Sequence, residues 1–362
     1  MKVQIPTKSL AETLQRVERI VPTRSSNPGL TLIRLELLDD ALRFSGSNLD
    51  LDIEATVAAD VRGDGTFALP AQVFSQVVRA LPGDTVDLEA EDNELGVSSA
   101  AFATKLQLVD PESAPRVTFP DSYSGSLPGD ALAEALGSVR YAAAVAEYQA
   151  IFRGVKLELS DAGSRAVATD GFRLAYRDME HVSGLSAEMV VPARSVDEMI
   201  RIVGDGPAEL EPGDGQVSVR CGAYRVNVKL MEGTFPDYRR VIPSSFPVTV
   251  TMNAAAFAEA VERVAVMADK TANNRVDLFI REGVLQITAE GAYGRSQEAL
   301  EVRQEGTDSQ MALAYNAKYL TDALHPIQGE LRVQFSGPTS PSVLVDPDEP
   351  SYLAMVVPLR TG

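Results

Sequence analysis

The feature that most constrains the fold of this chain is a short helical motif that occurs three times. It stands at Leu10–Val17, Leu132–Val139 and Phe257–Val264, at spacings of 122 and 125 residues. In each copy the apolar residues recur at positions i, i+4 and i+7, which is the pattern of one buried helix face. This period is far longer than a solenoid repeat, so we expect each copy to belong to a whole domain.

Three further markers recur in the same order. A second amphipathic helix is predicted from Leu69–Phe74, Val191–Val196 and Tyr315–Leu320. A turn lies between the two helices of each copy, at residues 45–49, 168–171 and 288–291, and Phe-Pro-Asp closes the first two copies at 119–121 and 235–237. We therefore predict three tandem domains, at residues 1–120, 121–246 and 247–362, which agrees with the length of 362 residues.

Hydrophobic periodicity gives the order strand, helix, strands, helix, strands, and so an α+β fold. Because the helices are segregated, one sheet face should be covered by them. The predicted helices are 7–22, 71–81, 130–149, 193–203, 253–270 and 316–326. The strands predicted in the first domain are 2–5, 32–38, 41–45, 50–57, 85–90, 94–98 and 101–108.

Composition excludes several classes of protein. The single cysteine, Cys221, rules out a disulfide framework or a cysteine zinc site, and two histidines argue against a histidine metal cluster. The sequence contains no membrane-length apolar run, and its first residues do not resemble a signal peptide. We expect a soluble cytoplasmic protein that has no metal, no cofactor and no membrane contact.

The net charge of −18 argues at first against a nucleic-acid partner. Basic and acidic residues are nearly balanced within the six predicted helices, however, so the excess of negative charge lies elsewhere. Fields are screened over about 8 Å at physiological salt, so a surface made of these helices could accept a polyanion that the rest of the molecule repels.

Catalytic motifs are missing from the sequence. It contains neither a Gly-rich phosphate loop followed by Lys-Ser/Thr nor a Gly-x-Ser-x-Gly elbow. The acidic pairs Asp39-Asp40 and Glu91-Asp92 fall at predicted turns, where solvated carboxylates are common. We predict no catalytic residue. Two alternatives stay open: a repeat adaptor that binds proteins but not DNA and, as the lesser alternative, an acidic α+β hydrolase.

Three stretches are informative beside the Met-Lys start and the three-domain pattern. They are Ala168–Ala175, Phe235–Pro243 and Val356–Arg360. Together they resemble the bacterial sliding clamp, the β subunit of DNA polymerase III, over the whole chain. The resemblance implies three clamp-type domains, each with two inner helices and outer antiparallel sheets, and two chains that close head-to-tail into a ring. Such a homodimer encircles double-stranded DNA without sequence specificity and is a processivity subunit rather than an enzyme. It tethers the replicative polymerase, the clamp loader and other proteins that carry short clamp-binding motifs.

The resemblance also implies three sets of functional residues. The partner-peptide pocket would contain Phe152, Thr169, Gly171, Phe172, Arg173, Leu174, Pro236, Arg240, Val241, Val356, Val357, Pro358, Leu359 and Arg360. The DNA-facing residues would be Arg16, Arg19, Arg24, Arg79, Arg140, Arg194, Arg201, Arg263, Lys270 and Lys318. The dimer interface would pair Phe102, Thr104 and Lys105 with Val266, Met267, Glu298 and Glu301 of a second chain.

The chain departs from the family pattern at the predicted pocket. The family often has His where Phe172 stands and a small polar residue where Arg153 stands, and the tail continues two residues beyond Arg360. We expect a pocket that is more apolar at the Phe172 edge.

Overall fold

The computed structural model describes residues 2–146, 150–179, 182, 184–204 and 206–360. The chain forms two compact units. Unit 1 comprises Met1–Ala133, Val182–Leu185 and Arg194–Leu230. Unit 2 comprises Glu134–His181, Ser186–Ala193 and Met231–Gly362. The middle third of the sequence is thus shared between the units.

The described part of the chain contains six α-helices, two in each third of the sequence, as the repeat predicts. They are α1 (Thr7–Ile20), α2 (Ala71–Arg79), α3 (Gly129–Arg140), α4 (Ala193–Ile202), α5 (Ala254–Ala265) and α6 (Ala317–Leu324). The apolar residues of the three-fold motif are buried in every copy, which confirms the predicted helix face. None of the helices within the described residues is long and apolar enough to cross a membrane.

Two helices, α3 and α5, end well before the last residue predicted for them. Helix α3 stops at Arg140 instead of continuing to residue 149, and the next residues turn so that Ala142–Ala144 are buried. The amide of Ala144 then donates to the carbonyl of Phe152. Residues 147–149 of the predicted helix lie outside the described residues. Helix α5 ends at Ala265 instead of residue 270.

The strands of the first third are β1 (Lys2–Pro6), β2 (Leu32–Leu37), β3 (Ala41–Ser47), β4 (Leu51–Ala58), β5 (Asp60–Arg62), β6 (Thr66–Pro70), β7 (Thr85–Glu91), β8 (Glu94–Ser99) and β9 (Phe102–Gln107). Those of the middle third are β10 (Gly125–Pro128), β11 (Gly154–Leu159), β12 (Ser164–Thr169), β13 (Arg173–Met179), β14 (Ala187–Pro192), β15 (Pro207–Gly213), β16 (Gln216–Cys221) and β17 (Tyr224–Lys229). Those of the last third are β18 (Val248–Asn253), β19 (Arg275–Arg281), β20 (Val284–Gly291), β21 (Gly294–Glu301), β22 (Arg303–Gly306), β23 (Gln310–Asn316), β24 (Glu330–Phe335), β25 (Ser342–Val345) and β26 (Tyr352–Val356).

The predicted turn of the third copy is displaced. Residues 288–291 belong to strand β20, and the chain reverses one step later, at Ala292 and Tyr293. The acidic pairs Asp39-Asp40 and Glu91-Asp92 do stand at hairpin turns, as predicted.

Unit 1 contains two antiparallel sheets, with strand orders β5-β1-β7-β8-β9 and β10-β15-β16-β17-β4-β3-β2-β6. The second sheet joins strands from two thirds of the sequence, since Val228 of β17 pairs with Leu51 of β4. Leu10, Leu14 and Val17 of α1 are fully or almost fully buried. Strand β9 is left at the edge of the first sheet.

Unit 2 has the corresponding pair of antiparallel sheets, with strand orders β14-β11-β12-β13-β26-β25-β24-β18-β22 and β21-β20-β19-β23. Here the last strand of the chain, β26, pairs with β13, so that Val356 lies opposite Arg173. Strand β21 is left at the edge of the smaller sheet. The architecture is therefore α+β with antiparallel sheets, as the sequence predicts.

Candidate functional sites

The first element of the predicted pocket is the tight turn between β12 and β13. The carboxylate of Asp170 accepts hydrogen bonds from the amides of Phe172 (2.9 Å) and Arg173 (3.0 Å). The hydroxyl of Thr169 accepts one from the amide of Gly171 (3.1 Å). Gly171 has φ +89°, a left-handed conformation in which glycine is unstrained. These local bonds present Phe172, 56% exposed, at the tip.

The second element is the chain that follows β26. The amide of Val357 donates to the carbonyl of Phe172 (2.8 Å), and the amide of Leu359 donates to the carbonyl of Ala314 (2.7 Å). Pro358 is buried between these two attachments, and Leu359 is half-buried. The tail is therefore fixed beside the turn by backbone bonds as well as by burial. Residues 361 and 362, the predicted tail extension, lie outside the described residues.

The third element is the loop that contains Pro236, Arg240 and Val241. Phe235 and Tyr238 are buried in one apolar cluster with Val167, Leu174, Val190, Val343, Leu353 and Met355. The ring of Phe152 meets that of Phe235 edge-on, at 6.3 Å between centroids and 89°. Anchored in this way, the loop leaves Pro236, Arg240 and Val241 exposed.

All of the predicted pocket residues lie in unit 2 on these three elements and the adjoining turn at Phe152, but they differ in exposure. Exposed to solvent are Gly171, Phe172, Pro236, Arg240, Val241 and Arg360. Half-buried are Phe152, Val357 and Leu359. Buried are Thr169, Arg173, Leu174, Val356 and Pro358. Only the first two groups offer surface to a ligand, and the third supports them.

Charged residues that the sequence reasoning did not select hold the exposed loop in place. The hydroxyl of Tyr238 donates to Glu158 (3.0 Å), and Arg165 donates to the same hydroxyl (3.4 Å). Glu158 also receives bonds from Lys156 (2.8 Å) and Arg239. Burial alone would raise the pKa of Glu158, but the bonds from Lys156, Arg239 and Tyr238 outweigh it and lower that pKa.

The surroundings of Arg173 were not predicted from the sequence either. Its guanidinium bonds to Asp170 (3.0 Å) and to Asp322 (2.7 Å), and it lies over the ring of Tyr319 (4.5 Å) and near that of Tyr141 (5.4 Å). Tyr319 lies in Tyr315–Leu320, the third copy of the second-helix marker, so the repeat could have identified it as a candidate. Asp322 gives no such signal, because 149 residues separate it from Arg173.

Most of the predicted DNA-facing residues have acidic or backbone partners. Arg19 and Arg201 share Glu198, and Arg79 holds Glu18 with two bonds of 2.9 and 3.0 Å. In unit 2 the engaged residues are Arg140 with the carbonyl of Ala193, Arg263 with Glu259 and Glu298, and Lys318 with Asp322. Each of the ion pairs among these contacts reduces the charge available to a polyanion, whereas the bond from Arg140 to a carbonyl only restrains that side chain.

Four of the predicted cations lack an ion pair within the described residues. Arg16 lies over the ring of Tyr224 at 4.5 Å, and Arg24, Arg194 and Lys270 have no carboxylate within 4.0 Å in that part of the chain. Arg24 and Lys270 are exposed. These four therefore differ from the other predicted cations, whose side chains are engaged by a carboxylate or a backbone carbonyl.

The predicted dimer residues of unit 1 lie on or beside the open edge of β9, and those of unit 2 on or beside β21. Phe102 is 38% exposed on β9, and Val266 is 75% exposed at the end of α5. Lys105 pairs with Glu94 (2.8 Å), and Glu298 with Arg263 (2.8 Å). The side-chain hydrogen bond between Lys105 and Glu94 raises the pKa of the lysine and lowers that of the glutamate. Both edges thus combine exposed apolar side chains with charged ones.

No group of His, Cys, Asp and Glu side chains suited to a metal ion occurs among the described residues. Cys221 is buried, as a core residue would be.

Comparison with known proteins gives a match along nearly the whole chain. Three family models match in order: the N-terminal domain of the DNA polymerase III beta subunit at residues 1–117, its central domain at 126–237 and its C-terminal domain at 239–360. The domain limits predicted from the sequence stay predictions.

Full-length relatives and solved structures agree with these matches. A beta sliding clamp of Caulobacter vibrioides is 29% identical over 375 residues, covering 99% of this chain and 100% of the relative. One of Bacillus subtilis is 26% identical over 378 residues, covering 100% of both. The structure of the C. crescentus beta sliding clamp with bound PEG has a TM-score of 0.91 at 28% identity, with 100% coverage of both chains. The Pseudomonas aeruginosa clamp bound to griselimycin has a TM-score of 0.94 at 24% identity, again with 100% coverage of both, and this likeness concerns the fold.

Proposed function

Because the chain belongs to the DNA polymerase III beta subunit family, the bacterial sliding clamps, we infer that it keeps a replicative polymerase processive by encircling DNA. The observation that carries this conclusion is the ordered match of all three clamp domains over nearly the whole chain. The chain would act in the cytoplasm as an accessory subunit that has no catalytic site of its own.

We propose that the ring consists of two chains joined head-to-tail. Two different free edges, β9 and β21, stand in different domains, so one edge of each chain can pair with the other edge of its partner. A heterologous contact of this kind closes into a ring when the rotation from each chain to the next returns to the first chain. Phe102, Val266 and Met267 would form the apolar centre, with Thr104, Lys105, Glu298 and Glu301 around it.

DNA would lie against the helices, in contact with many weak charges. Backbone contacts from Arg and Lys carry no sequence information and exchange easily along a duplex. Arg16, Arg24, Arg194 and Lys270 would make the most direct contacts, because no carboxylate among the described residues pairs with their charge. Since a closed ring holds DNA topologically, the direct affinity can be low.

Partner proteins would bind the surface formed by the turn at Phe172, the loop at Val241 and the tail at Leu359. Exposed apolar side chains on three rigid elements, with Arg240 and Arg360 nearby, suit a short linear motif with apolar anchors. We propose that the polymerase, the clamp loader and other motif-bearing proteins compete for this pocket.

The decisive experiment measures assembly and DNA retention together. Mass in solution should be that of two chains, and rings assembled on nicked circular DNA should stay bound until the circle is cut. A monomer that binds peptides but is not retained on circles would support the repeat adaptor instead. If the wild-type protein hydrolysed a substrate of a test panel, and a point mutation abolished that hydrolysis, the hydrolase would be supported.

A further inference from the structure

Arg173 is a buried cation directly behind the tip of the proposed pocket. It is only 7% exposed, and two carboxylates bind its guanidinium, Asp170 at 3.0 Å and Asp322 at 2.7 Å. Asp170 is part of the turn itself, whereas Asp322 comes from helix α6. A buried charge is stable in a protein only with such partners. Asp170 and Asp322 therefore hold Arg173 at the start of β13 and so fix the position of the adjacent Phe172.

Asp322 has a second cationic partner. Its other oxygen accepts a bond of 2.9 Å from the ammonium of Lys318, one helical turn earlier on α6. Lys318 is exposed and belongs to the predicted DNA-facing set, whereas Arg173 belongs to the predicted pocket. A single half-buried carboxylate therefore connects the two surfaces.

The neighbouring contacts hold α6 against the sheet. The hydroxyl of Tyr352 on β26 donates to the carbonyl of Ala323 (3.0 Å), and it lies 2.9 Å from the hydroxyl of Tyr141. Burial raises the pKa of both tyrosines, so these hydroxyls remain neutral. Since Ala323 follows Asp322 directly, the backbone beside the carboxylate is fixed to the strand that pairs with β13.

We infer that Asp322 is a positioning residue of the peptide pocket, acting through Arg173, and that Lys318 competes with Arg173 for its charge. The inference rests on the proposed function, which supplies both the pocket and the DNA face. When a DNA phosphate draws Lys318 away, Asp322 interacts with Arg173 alone. It should then hold the turn at Phe172 more firmly. DNA at α6 and a peptide at the pocket should then favour one another, to the same extent in both directions.

The test compares the affinity of a short synthetic peptide with two leucine anchors for four variants of the full dimer. Asp322→Asn should bind about tenfold more weakly, because a charge-assisted bond to the supporting arginine is lost. Asp322→Glu should recover part of that loss. Lys318→Met should bind about twofold more tightly, although Lys318 is not in the pocket. The matched control is Glu12→Gln, which removes the acid of an equivalent lysine pair on α1 (3.9 Å) and should leave the affinity unchanged.

Thermal unfolding of the same variants separates positioning from simple stability. Wild-type affinity in Asp322→Asn would overturn the inference. Weaker peptide binding by Lys318→Met would also overturn it, if the loss of affinity matched that variant's loss of thermal stability. If the wild-type dimer itself did not bind the peptide, the proposed pocket would be wrong, and this inference with it.

Discussion

The amide of Val357 donates a hydrogen bond of 2.8 Å to the carbonyl of Phe172, and this bond ties the end of the chain to the turn between β12 and β13. The equivalent bond occurs in unit 1, where the amide of Lys229 donates to the carbonyl of Asp50 at 2.9 Å. The fold therefore places a strand end beside a turn in both units. In unit 2 the turn presents an exposed aromatic residue, whereas in unit 1 Asp50 occupies that position.

Removing residues 359–362 should weaken peptide binding more than it lowers stability. The deletion leaves Pro358 in place and removes the bond from Leu359 to Ala314, worth about 1 kcal/mol of unfolding free energy. Peptide affinity should fall at least tenfold, since anchor contacts concentrate binding energy. Calorimetry and chemical denaturation of the same sample give both quantities. Arg360→Ala, which keeps Leu359, is the milder control, and equal losses of stability and binding would contradict a pocket wall at Leu359.

Replacing Phe172 with serine should reduce peptide affinity with little change in stability. More than half of the side chain is exposed, so its removal should change the unfolding free energy by less than about 0.5 kcal/mol. The turn bonds come from Thr169 and Asp170 and should survive. Fluorescence titration of a labelled peptide measures the effect. Phe172→His should keep part of the affinity, and full affinity in the serine variant would remove this residue from the pocket.

The double variant Val266→Arg and Met267→Arg should be monomeric. It would place two charges at the centre of the proposed apolar contact, where an unpaired charge is costly to desolvate. Sedimentation measures the mass directly. Leu49→Arg is the matched control, because Leu49 is 68% exposed but lies on a turn outside the proposed interface. A double variant that stayed dimeric would place the interface elsewhere.

Local sequence patterns were enough to predict where the helices begin. Pro70, Pro192 and Asn316 stand directly before α2, α4 and α6, and the apolar repeat predicted their buried faces. Where α3 ends could not be predicted in the same way, because the bond from Ala144 to Phe152 depends on how the chain folds back.

The candidate site shows the same limit. The turn at Gly171 could be predicted, because its bonds join neighbouring residues. The supports of that turn could not, because Asp322 reaches Arg173 only after α6 has packed on the sheet. The tether of Tyr238 to Glu158 spans 80 residues and was missed for the same reason.

Arg24→Ala should weaken direct binding to DNA modestly and equally for all sequences. Arg24 is exposed and has no carboxylate partner within the described residues, so it offers one full charge to a phosphate. Its loss should reduce the slope of log affinity against log salt by about 1. Fluorescence anisotropy with two duplexes of unrelated sequence measures both effects. Arg281→Ala, whose side chain pairs with Glu282 on a hairpin, should leave the slope unchanged, and a preference of Arg24→Ala for one duplex would contradict sequence-blind contact.

Glu158→Gln should alter how stability depends on pH. Burial would raise the pKa of Glu158, but hydrogen bonds from Lys156, Arg239 and Tyr238 lower it below its ordinary value of 4.5. A carboxylate with a lowered folded-state pKa stabilises the fold above the ordinary value, and this contribution is lost as the pH falls through the folded-state pKa. Wild-type protein should therefore lose stability more steeply below about pH 4.5 than Glu158→Gln does.

Chemical denaturation at pH 7 and at several values below 4.5 measures this difference. At pH 7 the variant should already be less stable, because Tyr238 and Arg239 lose a charged partner, and the loop that they anchor carries Arg240 and Val241. Peptide affinity at pH 7 should therefore fall as well. Glu305→Gln, on the exposed strand β22, should follow the wild type in both measurements. Parallel acid profiles of wild type and Glu158→Gln would show that this carboxylate neither stabilises unit 2 nor holds the loop beside the pocket.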